Sequence, residues 1–330
     1  MINPPNLSKK EIIELLNTRG EEQEQLHQQA REARAEVFGD VAFIRAIIEP
    51  SNYCRNKCLY CAMGDGRNIV NRYRMSVEEI VSIAEAIAKH GITTFSLETG
   101  EDPRIIDTLV QVTRIFREKD YSMLGIIGNH SEDDFRRLVD AGLTSFLLKF
   151  ETSNPDYYRS LRPKTELKKR LADLDFLKEL GCAIGTGNIV GLPGQTIDSM
   201  AEDILLAQQI DPEMVSAAPF IPSPKTPLQN APYGNIDLTL NTLALYRILL
   251  PNTQIPSLCA LNHYGAVGQL GGLNAGANDI LINTATPDSK ASEFAIYSKR
   301  KLYVTLEQAL DTIEKAGLHF DSDAECSLYK

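Results

Sequence analysis

From position 41 onward, short apolar runs rich in β-branched residues alternate with stretches whose apolar positions recur every three or four residues. The first pattern is typical of buried strands and the second of the helices that cover them. Together they predict repeated βα units and a parallel sheet. The predicted strands are 42–48, 94–97, 123–127, 145–151, 183–190, 214–219, 255–260 and 279–283. The helices that alternate with them are centred near 76–89, 104–118, 132–141, 166–180, 197–208, 238–249, 264–274 and 305–316.

Eight such units predict an α/β fold, a complete (βα)8 barrel of the TIM type. Two further helices are expected ahead of it within residues 8–37, with Ser8 as N-cap and Glu11 completing a capping box. The second of them is polar over most of its surface, so we expect it to lie outside the barrel. The expected organisation is an N-terminal helical extension over residues 1–37, followed by a barrel with a C-terminal helix and tail over residues 38–330.

The composition limits the classes of partner. Of 330 residues, 43% are hydrophobic and 24% charged, which is enough to bury a large core. The net charge is −10, and no basic stretch is dense enough to neutralise a phosphate backbone, so we expect no nucleic-acid partner. No apolar run approaches the ~20 residues that span a bilayer, and the N-terminus lacks the apolar core of a signal peptide. We therefore expect no membrane association and a cytoplasmic location.

Three of the six cysteines, Cys54, Cys58 and Cys61, lie in one short segment after the first predicted strand. Thiolates on such a loop can hold three irons of a 4Fe–4S cluster and leave the fourth iron open to a small molecule. A closed zinc site needs four N or S ligands, commonly from two Cys-x2-Cys pairs, and the sequence has no second pair. The spacing therefore favours an iron–sulfur cluster.

The Cys-x3-Cys-x2-Cys spacing, with Tyr60 just before the last cysteine, resembles the signature of the radical S-adenosylmethionine (SAM) superfamily. The resemblance implies an enzyme whose reduced 4Fe–4S cluster cleaves bound SAM, with adenosyl radical or adenosyl transfer chemistry. It also implies a small-molecule substrate and an electron donor such as flavodoxin or ferredoxin. If the chain serves in cofactor maturation, other maturation proteins are expected partners.

The resemblance also implies where SAM binds, since active sites of such barrels lie at the carboxyl ends of the strands. The candidate SAM contacts are Tyr60, Thr99, Gly100, Glu101, Glu151, Arg170, Ile189 and Val190. The turn 99–101 would receive the SAM ammonium group, Glu151 the ribose hydroxyls and Arg170 the carboxylate. Each also has a plainer interpretation, which remains open. The turn 99–101 is then an acidic turn before a helix that begins with Pro, Glu151 a neighbour of a helix cap, and Arg170 a surface charge. The glycines at 185 and 187 either admit the adenine or pack the barrel.

Within the superfamily, the sequence is similar to the biotin synthase-like group, in particular to the FeFe-hydrogenase maturase HydE and to methylornithine synthase (PylB). The resemblance spans residues from about 37 to 320 and includes the segments Leu192-Pro-Gly-Gln-Thr196 and Pro219-Phe-Ile-Pro222. It departs at Lys149-Phe150, where HydE-like proteins carry Arg-His, and at Leu258-Cys259, where they carry a Thr pair. The resemblance therefore assigns the residues that bind SAM, and it does not assign those that bind the substrate.

Polar residues expected to face the barrel interior are the candidate substrate contacts: Lys149, Asn188, Ser257, Asn262 and His263. Lys149 is expected to contact a substrate carboxylate, and His263 is either a proton donor or a surface histidine. The leading hypothesis is a HydE-like step in hydrogenase metallocofactor maturation, on a small amino-acid- or thiol-type substrate. The alternatives are a methylornithine synthase-like amino-acid mutase, biosynthesis of the iron-guanylylpyridinol cofactor, and a non-catalytic iron–sulfur regulator.

The remaining cysteines point away from further chemistry. Cys182 is expected in the core and Cys326 as a free thiol in an acidic tail. Biotin synthesis requires a second cluster inside the barrel, and Cys182 and Cys259 alone do not supply its ligands.

Overall fold

The protein is described by a computed structural model over residues 5–67, 70–265, 267–283, 290, 293, 294, 296 and 302–322. Parallel strands alternate with helices along most of this length. The strands are β1 (Val41–Ser51), β2 (Thr94–Thr99), β3 (Ser122–Ile126), β4 (Ser145–Leu147), β5 (Ala183–Val190), β6 (Met214–Pro219), β7 (Pro256–Ser257), β8 (Asp279–Ile282) and β9 (His319–Phe320).

The helices cover the outside of the sheet. They are α1 (Lys9–Leu16), α2 (Glu21–Phe38), α3 (Val77–Ala88), α4 (Ile106–Glu118), α5 (Glu132–Ala141), α6 (Pro155–Leu161), α7 (Leu167–Glu179), α8 (Ile197–Ile210), α9 (Ile236–Leu249), α10 (Gly268–Asn274) and α11 (Leu306–Lys315). Short 3-10 helices occupy Pro103–Ile105 and Cys259–Tyr264. In the described part of the chain, no helix combines the length and apolar character that crossing a membrane requires.

The strands form a nearly closed barrel, which confirms the predicted fold. The hydrogen-bonded order is β6-β5-β4-β3-β2-β1-β8-β7, and the pairs are parallel. Between β6 and β7, the described residues show one isolated bridge, Met214 with Gln254. The short β9 was not predicted, and it pairs with the start of β1.

Two strands end at least three residues earlier than predicted, and β8 ends one residue earlier. β4 ends at Leu147 rather than at 151, and Glu151, with a left-handed φ of 63°, keeps only an isolated bridge to Asn188. β7 ends at Ser257 rather than at 260, because the chain turns into a 3-10 helix at Cys259. Both changes occur at the carboxyl end of a strand, where the backbone shapes the mouth of the barrel.

The N-terminal helices pack on the barrel's outer layer. Ser8 and Glu11 form the predicted capping box of α1. Helix α2 lies against α9, where the buried His27 bonds to Asn241 at 3.1 Å. Arg34, also buried, donates to the carbonyl of Leu273 at 2.6 Å. Side chains that look like a solvated face in the sequence thus fasten α2 to the protein.

Arg247 of α9 is a buried charged residue that we expect to stabilise the barrel. It is fully buried and donates to the Gly276 carbonyl at 2.9 Å, the Pro251 carbonyl at 2.7 Å and Asn278 Oδ1 at 2.8 Å. Burial lowers its pKa to about 9, so it stays charged at neutral pH. We expect Arg247→Met to lower the free energy of unfolding by about 3 kcal/mol, because buried acceptors lose a charged donor.

Urea denaturation of the two proteins measures this difference. The matched control is Arg159→Met on α6, whose side chain is 68% exposed and whose pairing with Glu166 should be worth under about 1 kcal/mol. Equal stability losses in the two variants would contradict the role given to Arg247.

Candidate active site

A cavity of about 310 Å³ lies at the carboxyl ends of the strands and extends into the barrel, a volume in the range of small-molecule sites. Most of the residues predicted from the sequence line it. These are Cys54, Cys58, Tyr60, Cys61, Thr99, Gly100, Glu101, Lys149, Glu151, Arg170, Ile189 and His263. The barrel therefore gathers residues from β5, from α7 and from the carboxyl ends of β1, β2, β4 and β7 around one space.

The cysteine loop follows β1 and is held by backbone hydrogen bonds to its neighbours. The amide of Arg55 donates to the carbonyl of Glu101 at 3.0 Å. The amide of Leu59 donates to the carbonyl of Leu161, at the end of α6, at 2.9 Å. The loop is thus fixed on one side by the turn after β2 and on the other by the helix after β4.

Gly100 allows the cysteine loop and the 99–101 turn to touch. Its amide donates to the carbonyl of Ser51 at 3.3 Å. A Cβ atom at this position would lie 2.2 Å from the Tyr53 carbonyl oxygen and 2.7 Å from Cys54 Cβ, distances that real Cβ atoms do not show. Only glycine fits, so the turn is built against the first cysteine.

The buried position of the three thiols favours a bound group that carries positive charge. Burial raises the pKa of each, and for Cys61 the neighbouring Cys58 and Cys54 raise it further. Thiolates on this loop therefore need positive charge beside them, which the irons of a cluster supply. Among the described residues, no three Cys, His, Asp or Glu side chains converge on a point where one ion would sit. In a cluster each thiolate binds a different iron, so such convergence is not required.

Two buried carboxylates face the cavity and share arginine partners. Glu101 Oε1 accepts from Arg162 Nη2 at 3.1 Å and from Arg170 Nη2 at 3.4 Å. Glu151 Oε1 accepts from Arg162 Nη1 and from the Tyr60 hydroxyl, both at 3.3 Å. Burial opposes ionisation of Glu101, but Arg170 and Arg162 outweigh it and hold its pKa below the ordinary value. Glu101 is therefore presented to the cavity as an ionised carboxylate, and Glu151 lies beside the same guanidinium.

Arg162 is the main residue that the sequence did not assign. It bridges the two carboxylates, lines the cavity and is 6% exposed. Its role depends on contacts between the end of α6 and two carboxylates from other segments, which no local sequence pattern shows. Arg170, which the sequence analysis did single out, lines the cavity with its guanidinium on Glu101.

Two of the five candidate substrate contacts line the cavity, and three do not. Lys149 lines the cavity with its Nζ 3.4 Å from Glu151 Oε2, and His263 lines it as well, with its pKa lowered by burial. Asn188, however, does not face the interior, because side chains alternate along a strand and Ile189 takes the inward position. The Asn188 side chain bonds instead to Asp203 and Tyr246 on the helices outside.

Three further residues that were expected to contact substrate or SAM do not line the cavity. The Ser257 hydroxyl donates to the Gln269 carbonyl at 2.7 Å, on α10, and not into the cavity. Asn262 is also engaged with Gln269, whose amide donates to Asn262 Oδ1 at 2.9 Å. Val190 is fully buried outside the lining, and its carbonyl accepts from the Phe220 amide.

The structure also shows where Cys182, Cys259 and Gly187 lie. Cys182 lies in the hydrophobic core, and Cys259 lines the cavity with its thiol donating to the Leu281 carbonyl at 3.3 Å. Cys326 lies outside the described residues. A Cβ at Gly187 would meet the Ser216 carbonyl oxygen at 2.0 Å, so this glycine packs β5 against β6.

A (βα)8 barrel with three thiols after its first strand and paired carboxylates and arginines around one cavity has the architecture of an iron–sulfur enzyme that binds a small cofactor. The family model of the radical SAM superfamily matches residues 48–207. The chain is 40% identical to the [FeFe] hydrogenase maturase subunit HydE of Thermotoga maritima, over 83% of this chain and 79% of that protein.

Two more comparisons agree. The chain is 30% identical to 3-methylornithine synthase of Methanosarcina acetivorans, over 89% of this chain and 84% of that protein. The crystal structure of methylornithine synthase (PylB) matches with a TM-score of 0.86 at 26% identity, over 96% of this chain and 95% of that chain. The chain belongs to the radical SAM superfamily. It is an enzyme that acts on a small molecule, needs a reductant, and uses a 4Fe–4S cluster and SAM.

The contact at Gly100 yields a prediction. Gly100→Ala should destabilise the protein by about 2–3 kcal/mol, because the new methyl group pushes the 99–101 turn off the cysteine loop. The same displacement should lower the iron bound after anaerobic reconstitution. Thermal unfolding and iron analysis measure the two effects.

Gly64→Ala is the matched control on the same loop. Its Cβ would come no closer than 3.3 Å, at the end of the Arg67 side chain, and would lie 3.4 Å from the Asn56 carbonyl oxygen. It should keep both stability and iron. If Gly100→Ala bound iron as well as Gly64→Ala does, the two loops would not depend on this contact.

Proposed function

We propose that Cys54, Cys58 and Cys61 hold the 4Fe–4S cluster and that SAM binds beside it in the barrel cavity. The observation that carries this proposal is the direct packing of the 99–101 turn on the cysteine loop at Gly100. It brings a carboxylate turn and three thiols to one wall of one cavity. In this proposal residues 38–330 form the catalytic barrel and residues 1–37 a helical extension.

The cavity residues have separate tasks. When bound and reduced, the cluster supplies an electron for cleavage of SAM. Glu101 and the turn carbonyls bind the ammonium group, and Arg170 binds the carboxylate through its planar guanidinium. Glu151 accepts the ribose hydroxyls, and the apolar Ile189 borders the adenine. Arg170 and Arg162 together hold the pKa of Glu101 below its ordinary value, and Arg162 also bonds to Glu151.

For the substrate, we propose a small amino-acid- or thiol-type molecule processed during maturation of a hydrogenase metal centre. The 40% identity to HydE over most of both chains supports this choice. A methylornithine synthase-like rearrangement of an amino acid is the second candidate, favoured by the TM-score of 0.86 to that enzyme over nearly its whole length. Lys149, which reaches the cavity, serves either substrate as a carboxylate contact.

The surroundings of the enzyme are part of the proposal. We propose flavodoxin or ferredoxin as the electron donor, other maturation proteins as partners, and a cytoplasmic location. None of the five described cysteines forms a disulfide, which supports a reducing compartment.

Removing one proposed cluster ligand tests the site. We expect anaerobically reconstituted wild-type protein to bind about four irons per chain and to convert SAM to 5'-deoxyadenosine when reduced. Cys61→Ala should lose the cluster's electron paramagnetic resonance signal and this cleavage. Cys182→Ala, a buried cysteine in the core, is the matched control and should keep both.

Wild-type protein that held zinc and no iron would overturn the proposed site. So would Cys61→Ala protein that cleaved SAM at the wild-type rate.

Replacing Lys149 separates SAM cleavage from substrate turnover. Lys149→Met should still form 5'-deoxyadenosine without substrate, because the three cysteines are unchanged and Glu151, although it loses Lys149, keeps its bonds from Arg162 and Tyr60. Turnover of any amino acid accepted by the wild type should fall about 10- to 100-fold, the cost of losing a charged hydrogen bond. Mass spectrometry after incubation with a panel of free amino acids measures both products.

Lys168→Met, an exposed lysine on α7, is the control and should behave as wild type. If Lys149→Met lost the cluster or SAM binding, the assignment of Lys149 to the substrate would be wrong.

A further inference from the structure

Asp203, on α8, accepts hydrogen bonds from three different segments, although it lies outside the cavity lining and is fully buried. Its Oδ1 accepts from the amide of Ser153 at 2.6 Å and from the Ser153 hydroxyl at 2.7 Å. Its Oδ2 accepts from Asn188 Nδ2 and from Gln195 Nε2, both at 3.2 Å. We call Asp203, Ser153, Asn188 and Gln195 the Asp203 cluster.

Each partner in the cluster adjoins a residue of the cavity wall. Ser153 is two residues beyond Glu151, and Asn188 directly precedes Ile189 on β5. Gln195 forms the turn after β5, since its Nε2 also donates to the Ile189 carbonyl at 3.0 Å and its Oε1 accepts from the Gly191 amide at 2.6 Å. One carboxylate therefore joins the chain after Glu151 to the chain around Ile189.

Glu151 needs such support because its backbone is strained. Its φ of 63° is in the left-handed region, which costs a residue with a side chain about 1–3 kcal/mol. Its amide donates to the Gly187 carbonyl at 3.0 Å, and its own carbonyl accepts from the Ile189 amide at 2.9 Å. These two hydrogen bonds can form only when the segment after β4 is aligned with the end of β5.

We propose that Asp203 is a positioning residue that holds Glu151 and Ile189 in place for SAM from behind the cavity wall. This inference rests on the proposed roles of Glu151 and Ile189 in SAM binding. Asp203 touches neither ligand nor cluster ligand, and it acts through the backbone. All four donors point at its carboxylate, so the ionised form satisfies each of them.

The groups around Asp203 are compatible with that role. Among the described residues, Asp203 affects the pKa of Tyr157 of α6 and Tyr246 of α9. Burial raises the pKa of both hydroxyls, and the charge of Asp203 raises it further. The Tyr157 hydroxyl donates to the Pro193 carbonyl at 2.7 Å and the Tyr246 hydroxyl to Asn188 Oδ1 at 3.1 Å. Burial raises the pKa of Asp203 itself to about 6, below neutral pH.

The test is Asp203→Asn, which keeps the size of the side chain and turns one acceptor oxygen into a donor facing donors. We expect the KM for SAM in reductive cleavage to 5'-deoxyadenosine to rise about tenfold, with the rate at saturating SAM within about twofold of wild type. The cluster signal should not change. Ser153→Ala, which removes one bond and leaves the amide bond, should raise the KM by a smaller factor and remains informative if Asp203→Asn does not fold.

Asn241→Ala is the matched control for loss of stability. Asn241 is fully buried on α9, with bonds to the Leu16 and Thr18 carbonyls, and does not line the cavity. It should lower the melting temperature without changing the KM for SAM.

The outcomes separate this inference from the proposed function. A wild-type KM in both Asp203→Asn and Ser153→Ala would overturn it, as would an equal rise in KM in Asn241→Ala. Failure of the wild-type protein to cleave SAM would instead overturn the proposed function. A raised KM in the Asp203 and Ser153 variants alone, with intact cluster and rate, supports the positioning role.

Discussion

The mouth of the barrel depends on the close contact between the loops that follow β1 and β2. These strands are neighbours in a parallel sheet, so their carboxyl ends emerge side by side. Gly100 lets the second loop lie directly on the Tyr53 carbonyl and Cys54, and the hydrogen bond from Arg55 to Glu101 fixes the register. The thiols and the acidic turn therefore form one rigid unit, and the later strands add their residues to it.

Charge balance maintains this unit in a buried setting. The chain as a whole carries a net charge of −10, yet Glu101 and Glu151 each have a guanidinium partner beside the cavity. Burying a lone carboxylate would cost several kcal/mol, and paired partners offset much of that cost. A ligand that carries both an ammonium and a carboxylate group can exchange partners with this network without leaving a charge uncompensated.

Most of the barrel could be predicted from the sequence because buried strands and amphipathic helices leave different periods. The motif residues were also predictable, since Cys54 to Cys61 lie in one loop at the end of the first strand. The orientation of Asn188 was not recognised, although alternation with Ile189 contained that information. Arg162 and Asp203 could not be assigned, because their roles depend on contacts between elements and leave no local pattern.

The place of β1 in the sheet has a consequence for how the protein is made. Its neighbours include β8 and β9, which lie more than two hundred residues later in the sequence. The strand that carries the cysteine loop therefore lacks its β8 neighbour until residues 279–282 have been made. Iron and sulfide delivered earlier would meet thiols on a strand without its β8 neighbour, so we expect the cluster to be loaded only after β8 has been made.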